Sequence, residues 1–287
     1  MASAFLSQNG NPNVGAACFG VAGPVNGGRV VGPNLPWVTH DQTLALELGI
    51  KRVKLINDLE ANAYGIASLA PGEMITIQAG KPNAVGNAAV ISAGTGLGEA
   101  GLFWDGSKHI PFACEGGHAD FAPRSQLETQ LLHYLQARFG RVSYERVLSG
   151  RGQYLLYEFL RDVKGYAEIP ALASEMLSRN PSAVITDAGL ARTCELCVTA
   201  LNWYVSLYGA EAGNLALKMM ATGGIYIGGG IAPKIIQKLQ EPVFINSFVS
   251  KGRMQELLTA TPIQVIMNDQ TALLGAARAA NLELNRA

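Results

Sequence analysis

The sequence is poor in cysteine, in charge and in long apolar runs, and each shortage excludes a class of protein. Four cysteines in 287 residues are too few for a disulfide framework. No apolar run approaches the roughly 18 residues of a membrane-spanning helix, and the start lacks the features of a signal peptide. Charged residues make up 15% with a formal net charge of +0, so nucleic acid and anionic membranes are not expected partners. We therefore predict a cytoplasmic protein.

Apolar residues, by contrast, make up 48% of the chain, which is typical of a well-packed globular protein. The length allows one large domain or two moderate ones. The pair in Cys194-Glu-Leu-Cys197 has redox or zinc spacing, but no second pair accompanies it. We therefore expect both cysteines to be ordinary structural residues of a helix.

Hydrophobic periodicity predicts two successive α/β units. The first has short strands at 16–22 and 53–56, a helix begun by Thr39 or Asp41, and a helix after Asp58. The second repeats three strands, helix, strand, helix, strand, helix, whereas the first has only the back half of that plan. The second unit's main predicted segments are strands at 88–92, 97–104, 108–112 and 263–267, and helices at 125–139, 143–148, 187–216 and 271–280.

Two glycine clusters follow predicted strands. In the first, Gly94-Thr-Gly96, backbone N–H groups and a hydroxyl have the pattern of a phosphate-binding nest, although an ordinary hairpin turn fits equally well. It is not a P-loop, because the Gly-Lys-Ser/Thr ending is absent. The second, at 222–230, would let a flat ligand such as adenine lie against the backbone. A tight turn with close helix packing is the alternative.

Three polar segments carry candidate chemistry. Glu115-Gly-Gly-His118 offers a carboxylate and an imidazole for the hydroxyls of a polyol, while a structural histidine or a metal ligand are the alternatives. Asn57-Asp58 closes a strand, where an α/β protein exposes a general base, although Asp58 also fits a helix cap. Glu145 taken alone is typical of a surface residue.

These segments, in this order, resemble the bacterial glucokinase family of the actin, Hsp70 and sugar-kinase superfamily. The resemblance implies an α/β fold of two actin-like (ribonuclease H-like) domains flanking a cleft, with the first truncated at its N-terminus. It implies a small domain at 1–67 plus 270–287 and a large domain at 68–269. The matching segments are 20–25, 56–59, 91–98, 115–123, 142–150, 213–217, 223–230 and 251–253.

The resemblance also implies an activity and a site. The expected reaction is Mg²⁺- and ATP-dependent phosphorylation of the glucose 6-hydroxyl, which admits glucose to glycolysis as glucose 6-phosphate. Asp58 matches the catalytic base. The implied sugar contacts are Asn57, Asp58, Glu115, His118 and Glu145. The implied nucleotide contacts are Gly94, Thr95 and Gly96 for phosphate and Gly223, Gly224, Gly228 and Gly229 for adenosine, and no protein-held metal cage is implied.

The sequence departs from the family pattern at its start. No Asp-x-Gly-Gly-Thr-Asn turn, the family's first phosphate motif, occurs before Gly15. We therefore expect a first sheet of about two strands with an open edge and weak kinase activity. A sugar-binding pseudoenzyme and a non-catalytic interaction module are the alternative functions, and a homodimer is an arrangement that the sequence leaves open.

Overall fold

The computed structural model describes residues 2–30 and 39–285. Contacts divide the chain into one unit of residues 1–73, 100–114 and 268–287 and a second of 74–99 and 115–267. The sequence-based division placed 100–114 in the large domain. The structure groups them with the first unit, where the strand His109–Cys114 packs on the helix Asp58–Ile66.

Short parallel and antiparallel strands alternate with helices along the described chain. The strands are Ala16–Val21 (β1), Val25–Asn26 (β2), Arg29–Val30 (β3), Thr39–His40 (β4), Arg52–Asn57 (β5), Met74–Gln78 (β6), Ala88–Ala93 (β7), Leu97–Trp104 (β8), His109–Cys114 (β9), Gly224–Gly228 (β10) and Ile263–Ile266 (β11). The α-helices are Ala2–Gln8 (α1), Asp41–Leu48 (α2), Asp58–Ile66 (α3), Gln126–Phe139 (α4), Gly150–Asp162 (α5), Pro170–Ser178 (α6), Pro181–Leu190 (α7), Glu195–Met219 (α8), Ile236–Leu239 (α9), Pro242–Val249 (α10), Gln255–Thr259 (α11) and Thr271–Leu284 (α12). The 3₁₀ turns are Gly116–His118 (η1), Tyr144–Arg146 (η2), Ala232–Ile235 (η3) and Gly252–Met254 (η4).

In the first unit, β1 pairs in parallel with β5, and Val21 lies opposite Asn57. Among the described residues this sheet holds two strands, the number expected from the sequence. Helices α3 and α12 pack against each other, and Ile56, Ala61 and Ala279 form their small buried core. The carboxyl end of β5 leads directly into α3, which positions two of the predicted site residues.

In the second unit the strand order is β6-β11-β10-β7-β8, with β8 contributing residues 97–99. Strand β10 runs parallel to both β7 and β11, and β6 pairs antiparallel with β11. The chief strand that sequence reasoning missed is β6. The core-forming residues of β7, such as Val90 and Ile91, are fully buried, as expected for a strand covered on both faces. The ends of β7 and β10 therefore meet at one edge of the sheet.

The predicted long helix at 187–216 is wrong, because the structure has two helices there. Helix α7 ends at Leu190, and Arg192 adopts a left-handed φ of 56°, which breaks the helical path. Cys194 then precedes α8 without a capping hydrogen bond, and Cys197 lies within the helix, both as free buried cysteines. The predicted helix at 143–148 is the single turn η2.

The start of α2 also differs from the prediction. The cap position is His40 rather than Thr39 or Asp41, and the Gln42 N–H donates both to the His40 ring at 3.2 Å and to the Asp41 carboxylate at 2.6 Å. Within the described part of the chain, no helix combines the length and the apolar character needed to cross a membrane.

Candidate functional site

Asn57 and Asp58 occupy the junction of β5 and α3 in the first unit. The Asn57 side chain is the helix cap: its Oδ1 accepts from the N–H of Leu59 at 2.8 Å and of Glu60 at 3.3 Å. Its Nδ2 donates to the carbonyl of Gly23 at 3.2 Å. The capping role considered for Asp58 therefore belongs to Asn57, and Asp58 is the first helical residue.

The Asp58 carboxylate is half-buried, and one of its oxygens accepts from the Leu59 N–H at 2.9 Å. Burial raises the pKa of Asp58 above its ordinary value, and backbone hydrogen bonds offset only part of that rise. Burial disfavours the charged form, so the carboxylate binds a proton more tightly than an exposed aspartate does. This is the property that a general base for a hydroxyl proton requires.

Glu115, His118 and Glu145 lie on two adjoining segments of the second unit. Glu115 precedes η1 and His118 ends it, with 4.0 Å between His118 Nε2 and Glu115 Oε2. The backbone joins this segment to that of Glu145, since the N–H of Tyr144 donates to the Ala119 carbonyl at 2.9 Å. The structure thus brings these three residues into one region, and it places Asn57 and Asp58 in the other unit.

Glu145 is more than the surface residue that its local sequence suggests. It sits on η2, half-buried, and its Oε2 accepts from the N–H of Leu97 at 3.1 Å. Leu97 begins β8 immediately after the Gly94-Thr-Gly96 turn. A residue that is predicted to bind the sugar is therefore hydrogen-bonded to the strand that follows the predicted phosphate loop.

Glu99 is a buried acid beside this region that sequence reasoning missed. It is 1% exposed, and its Oε1 has no hydrogen-bond partner in the described part of the chain. A Cβ on Gly116 would lie 1.8 Å from Glu99 Oε2, so a larger residue there would displace the Glu99 carboxylate. Burial first, and then the Glu211 carboxylate, raise the pKa of Glu99 to about 7. The sequence signal was an acidic residue inside an otherwise apolar strand.

We expect Glu99→Gln to stabilise the protein, and more so as pH rises. The folded-state pKa of about 7 exceeds the ordinary 4.5, so wild type loses stability between those two pH values, where the carboxyl is ionised in the unfolded chain but still protonated in the folded protein. A tenfold difference in proton affinity corresponds to about 1.4 kcal/mol, so a gain of about 1–3 kcal/mol in the free energy of unfolding is expected at pH 8. Urea titrations at pH 4.5 and pH 8 measure it, with the exposed Glu256→Gln as control; an equal gain at both pH values would contradict the assignment.

The Gly94-Thr-Gly96 turn joins β7 to β8 at the sheet edge. The Gly94 N–H donates to the Gly96 carbonyl at 2.8 Å, and the Gly94 carbonyl accepts from the N–H of Gly150 at 2.9 Å. Gly150 is the first residue of α5. The loop is therefore fixed against a helix N-terminus, an arrangement that favours phosphate.

The second glycine cluster is divided between the two ends of β10. Gly228 pairs with Ser92 of β7, and Gly229 follows with a φ of 82°, where a Cβ would lie 2.3 Å from the Ala93 carbonyl oxygen. These two glycines thus adjoin the phosphate loop. Gly224 pairs with Ala88 at the far end of the strand, about 13 Å away at roughly 3.3 Å per residue. The structure does not bring Gly223 and Gly224 together with the loop.

A cavity of about 990 Å³ opens beside the loop within the second unit. Its size is at the upper end of the range typical of small-molecule sites. The walls combine strand ends, the starts of α5 and α7, and basic side chains. Residues of the wall outside the predicted set include Arg151, Tyr154, Asn180, Ser182 and Lys234.

The helix starts that form this wall had readable signals. Ser149 caps α5 by accepting from the Gly152 N–H, and Asn180 caps α7 by accepting from the Ser182 N–H, with Pro181 as the next residue. A polar cap followed by proline or a helix former marks a helix N-terminus. The sequence did not indicate that both starts face one cavity, because that depends on tertiary packing.

Comparisons with known proteins agree on one family. A family model described as Glucokinase matches residues 1–283. The glucokinase of Nostoc punctiforme is 43% identical over 286 residues, covering 95% of this chain and 84% of the relative. The glucokinase of Synechocystis is 42% identical over 283 residues, covering 93% and 80%.

Solved structures give the same result for the fold. A glucokinase from an Antarctic psychrotroph matches with a TM-score of 0.83 and 31% identity, covering 98% of this chain and 84% of that one. A ROK family glucokinase from Streptomyces griseus, in complex with glucose and AMPPNP, matches with a TM-score of 0.65 at 18% identity, covering 98% and 86%. The predicted α/β fold of actin-like type is confirmed.

Proposed function

Because this chain belongs to the glucokinase family, we propose that it phosphorylates the 6-hydroxyl of glucose from ATP with Asp58 as the general base. It is a hexose kinase, and the pseudoenzyme and interaction-module alternatives are not favoured, since curated glucokinases match it over most of its length. The observation that carries the assignment of the base is the half-buried Asp58 carboxylate with its raised pKa at the end of β5.

We place ATP in the cavity beside Gly94 and Thr95. The backbone N–H groups of the loop are donors to phosphate. The starts of α5 and α7 present the positive ends of their helix dipoles, which also attract phosphate. Arg151 and Lys234 in the wall add positive charge, whereas Arg179 is paired with Glu175 and Asp187. Gly228 and Gly229 adjoin the loop, so we keep them in the nucleotide site. The nucleotide contacts of Gly223 and Gly224 stay a prediction.

Mg²⁺ fits a site of this kind as a companion of the nucleotide. In residues 2–30 and 39–285, no three His, Cys, Asp or Glu side chains form a metal cage, but Mg²⁺ normally takes most ligands from phosphate and water. The oxygens of Thr95 and Asp187 in the cavity wall are of the type it takes, and we propose them as its protein neighbours. When bound, the ion neutralises the charge that develops on the phosphates.

In the proposed reaction, Asp58 accepts the proton of the sugar hydroxyl. The freed oxygen forms a bond to the γ-phosphorus as the bond from that phosphorus to ADP breaks. General base help of this kind contributes about 10²–10⁴ in rate, and positioning by backbone donors and basic side chains contributes the rest. Asn57, Glu115, His118 and Glu145 pair with the other sugar hydroxyls, so an analogue lacking a hydroxyl leaves a polar partner unsatisfied.

ATP and glucose are cytoplasmic metabolites, so we propose that the chain works in the cytoplasm. The homodimer remains a prediction, and sedimentation velocity distinguishes it from a monomer.

Glucose titration of Glu145→Gln tests the sugar site. The amide keeps an acceptor for the Leu97 N–H but loses the charge, and a hydrogen bond to a charged group contributes about 1.5–3 kcal/mol. We therefore expect glucose binding weakened by roughly tenfold or more, with AMPPNP affinity unchanged. Unchanged glucose affinity would remove Glu145 from the site. Stoichiometric zinc that is lost in His118→Ala would show a metal site instead.

A further inference from the structure

A polar cluster adjoins the predicted sugar segments of the second unit. It consists of the buried Tyr144 and Glu211, the half-buried Asn214 and Lys251, and the exposed Lys218. Two of its members come from 213–217 and 251–253, segments that carry family resemblance but to which neither sugar nor nucleotide binding gives a role. Buried polar groups are costly unless each has a partner, so the buried Tyr144 and Glu211 call for a structural or functional reason.

Tyr144 connects this cluster to both sugar segments. The residue is 4% exposed, and its ring meets Phe121 edge-on at 5.7 Å. Its N–H donates to the carbonyl of Ala119, the residue after His118. Glu145 is the next residue along the chain. The backbone of Tyr144 thus connects the turn that carries Glu145 to the segment that follows His118.

Asn214 of α8 holds the far end of the Tyr144 ring. Its Nδ2 donates to the Tyr144 hydroxyl at 3.0 Å and to Glu211 Oε2 at 2.7 Å. Its Oδ1 accepts from Lys251 Nζ at 2.6 Å, and Lys251 also donates to the Ala210 carbonyl at 3.0 Å. Both ends of the Asn214 amide are thus in use, which fixes its orientation.

The buried charge of the cluster is paired. The Glu211 side chain is 0% exposed, and Lys218 Nζ lies 3.0 Å from its Oε1. Burial, and then the Glu211 carboxylate, raise the pKa of Tyr144, so its hydroxyl stays protonated. Burial and then the neighbouring Arg124 lower the pKa of Lys251. From α8, both Asn214 and Glu211 therefore contact the Tyr144 hydroxyl.

We propose that Asn214 is a positioning residue for sugar binding: through the Tyr144 hydroxyl it fixes the segment that presents Glu145, and Lys251 fixes Asn214 in turn. This inference rests on the proposed sugar-binding role of Glu145. It gives the segments at 213–217 and 251–253 a common purpose, which is to hold the sugar side of the second unit in one conformation.

Tyr144→Phe removes only the hydroxyl, and α8 offers a matched control. Tyr204 is also a fully buried tyrosine, but its hydroxyl has no hydrogen-bond partner among the described residues. Loss of one buried hydrogen bond of ordinary strength corresponds to a change of a few-fold to about tenfold. We expect Tyr144→Phe to raise both KM and Kd for glucose by about three- to tenfold with KM for ATP unchanged, and Tyr204→Phe to leave all three unchanged.

A double-mutant cycle with Asn214→Ala separates positioning from a loss of stability. Both changes break the same hydrogen bond, between Asn214 and the Tyr144 hydroxyl. The double variant should therefore bind glucose no more weakly than whichever single variant has the lower glucose affinity. Calorimetric titration of glucose and thermal melts are measured on all four proteins. Additive losses of glucose affinity, or equal rises of KM for glucose and ATP, would overturn the proposal. Wild type that fails to bind glucose would refute the proposed function itself, whereas a Tyr144→Phe variant that binds like wild type refutes only this inference.

Discussion

Asp58→Asn should lower kcat for glucose phosphorylation by about 10²–10⁴, the usual contribution of a general base. The amide keeps an oxygen that accepts from the Leu59 N–H but cannot take a proton at neutral pH. Because burial disfavours the charged carboxylate, removing the charge should not lower the free energy of unfolding. A coupled assay for ADP and a urea titration measure the two effects on the same preparation.

Glu60→Gln is the matched control for this substitution. Glu60 lies two residues further along the first turn of α3, is also half-buried, and burial raises its pKa as well. We expect its kcat to stay within about twofold of wild type, since no catalytic role is proposed for it. If only Asp58→Asn lowers kcat, the effect comes from the position of Asp58 and not from the loss of a half-buried carboxylate in general.

The pH dependence of the rate gives an independent check. The base must be ionised to act, so kcat/KM for wild type should fall as pH drops through the raised pKa of Asp58. The residual rate of Asp58→Asn should lack this acidic limb. An Asp58→Asn variant that keeps more than about a tenth of wild-type kcat would refute the assignment.

The sequence predicted those parts of the fold that depend on local pattern. Strands β1, β5, β7 and β8 were found because short apolar runs end in glycine or polar residues. The predicted helix at 187–216 was wrong, because its apolar period continues across the break at Arg192. Strand β6 was missed, since its pairing with β11 links residues far apart in the chain.

The candidate site was predictable where strand ends carry glycine or polar residues, as at Asn57, Asp58, Gly94 and Gly228. What sequence reasoning missed depends on packing across the unit. Glu99 is notable only because Gly116 closes over it, and Asn180 because α7 starts at the cavity wall. Gly223 and Gly224 stay predictions, separated from Gly228 by the length of one short strand.

Gly229→Ala should lower nucleotide affinity by tenfold or more. Gly229 has a φ of 82°, and a Cβ there would lie 2.3 Å from the Ala93 carbonyl, directly before Gly94. A non-glycine residue in such a backbone conformation costs about 1–3 kcal/mol, and relief of the overlap must shift the Ala93 carbonyl and with it the loop. Fluorescence titration with AMPPNP, well below the melting temperature, measures the loss, and glucose affinity should change little.

Two further alanine substitutions isolate the cause. Gly230 also lines the cavity, but a Cβ there would meet no atom within 4 Å, so Gly230→Ala should bind AMPPNP like wild type. Gly224 has a φ of 137° but lies at the other end of β10, so Gly224→Ala should lower the melting temperature without weakening AMPPNP. If Gly224→Ala lowered AMPPNP affinity as much as Gly229→Ala does, the loss of affinity would come from backbone strain anywhere in β10. That result would contradict a nucleotide site at the loop beside Gly94.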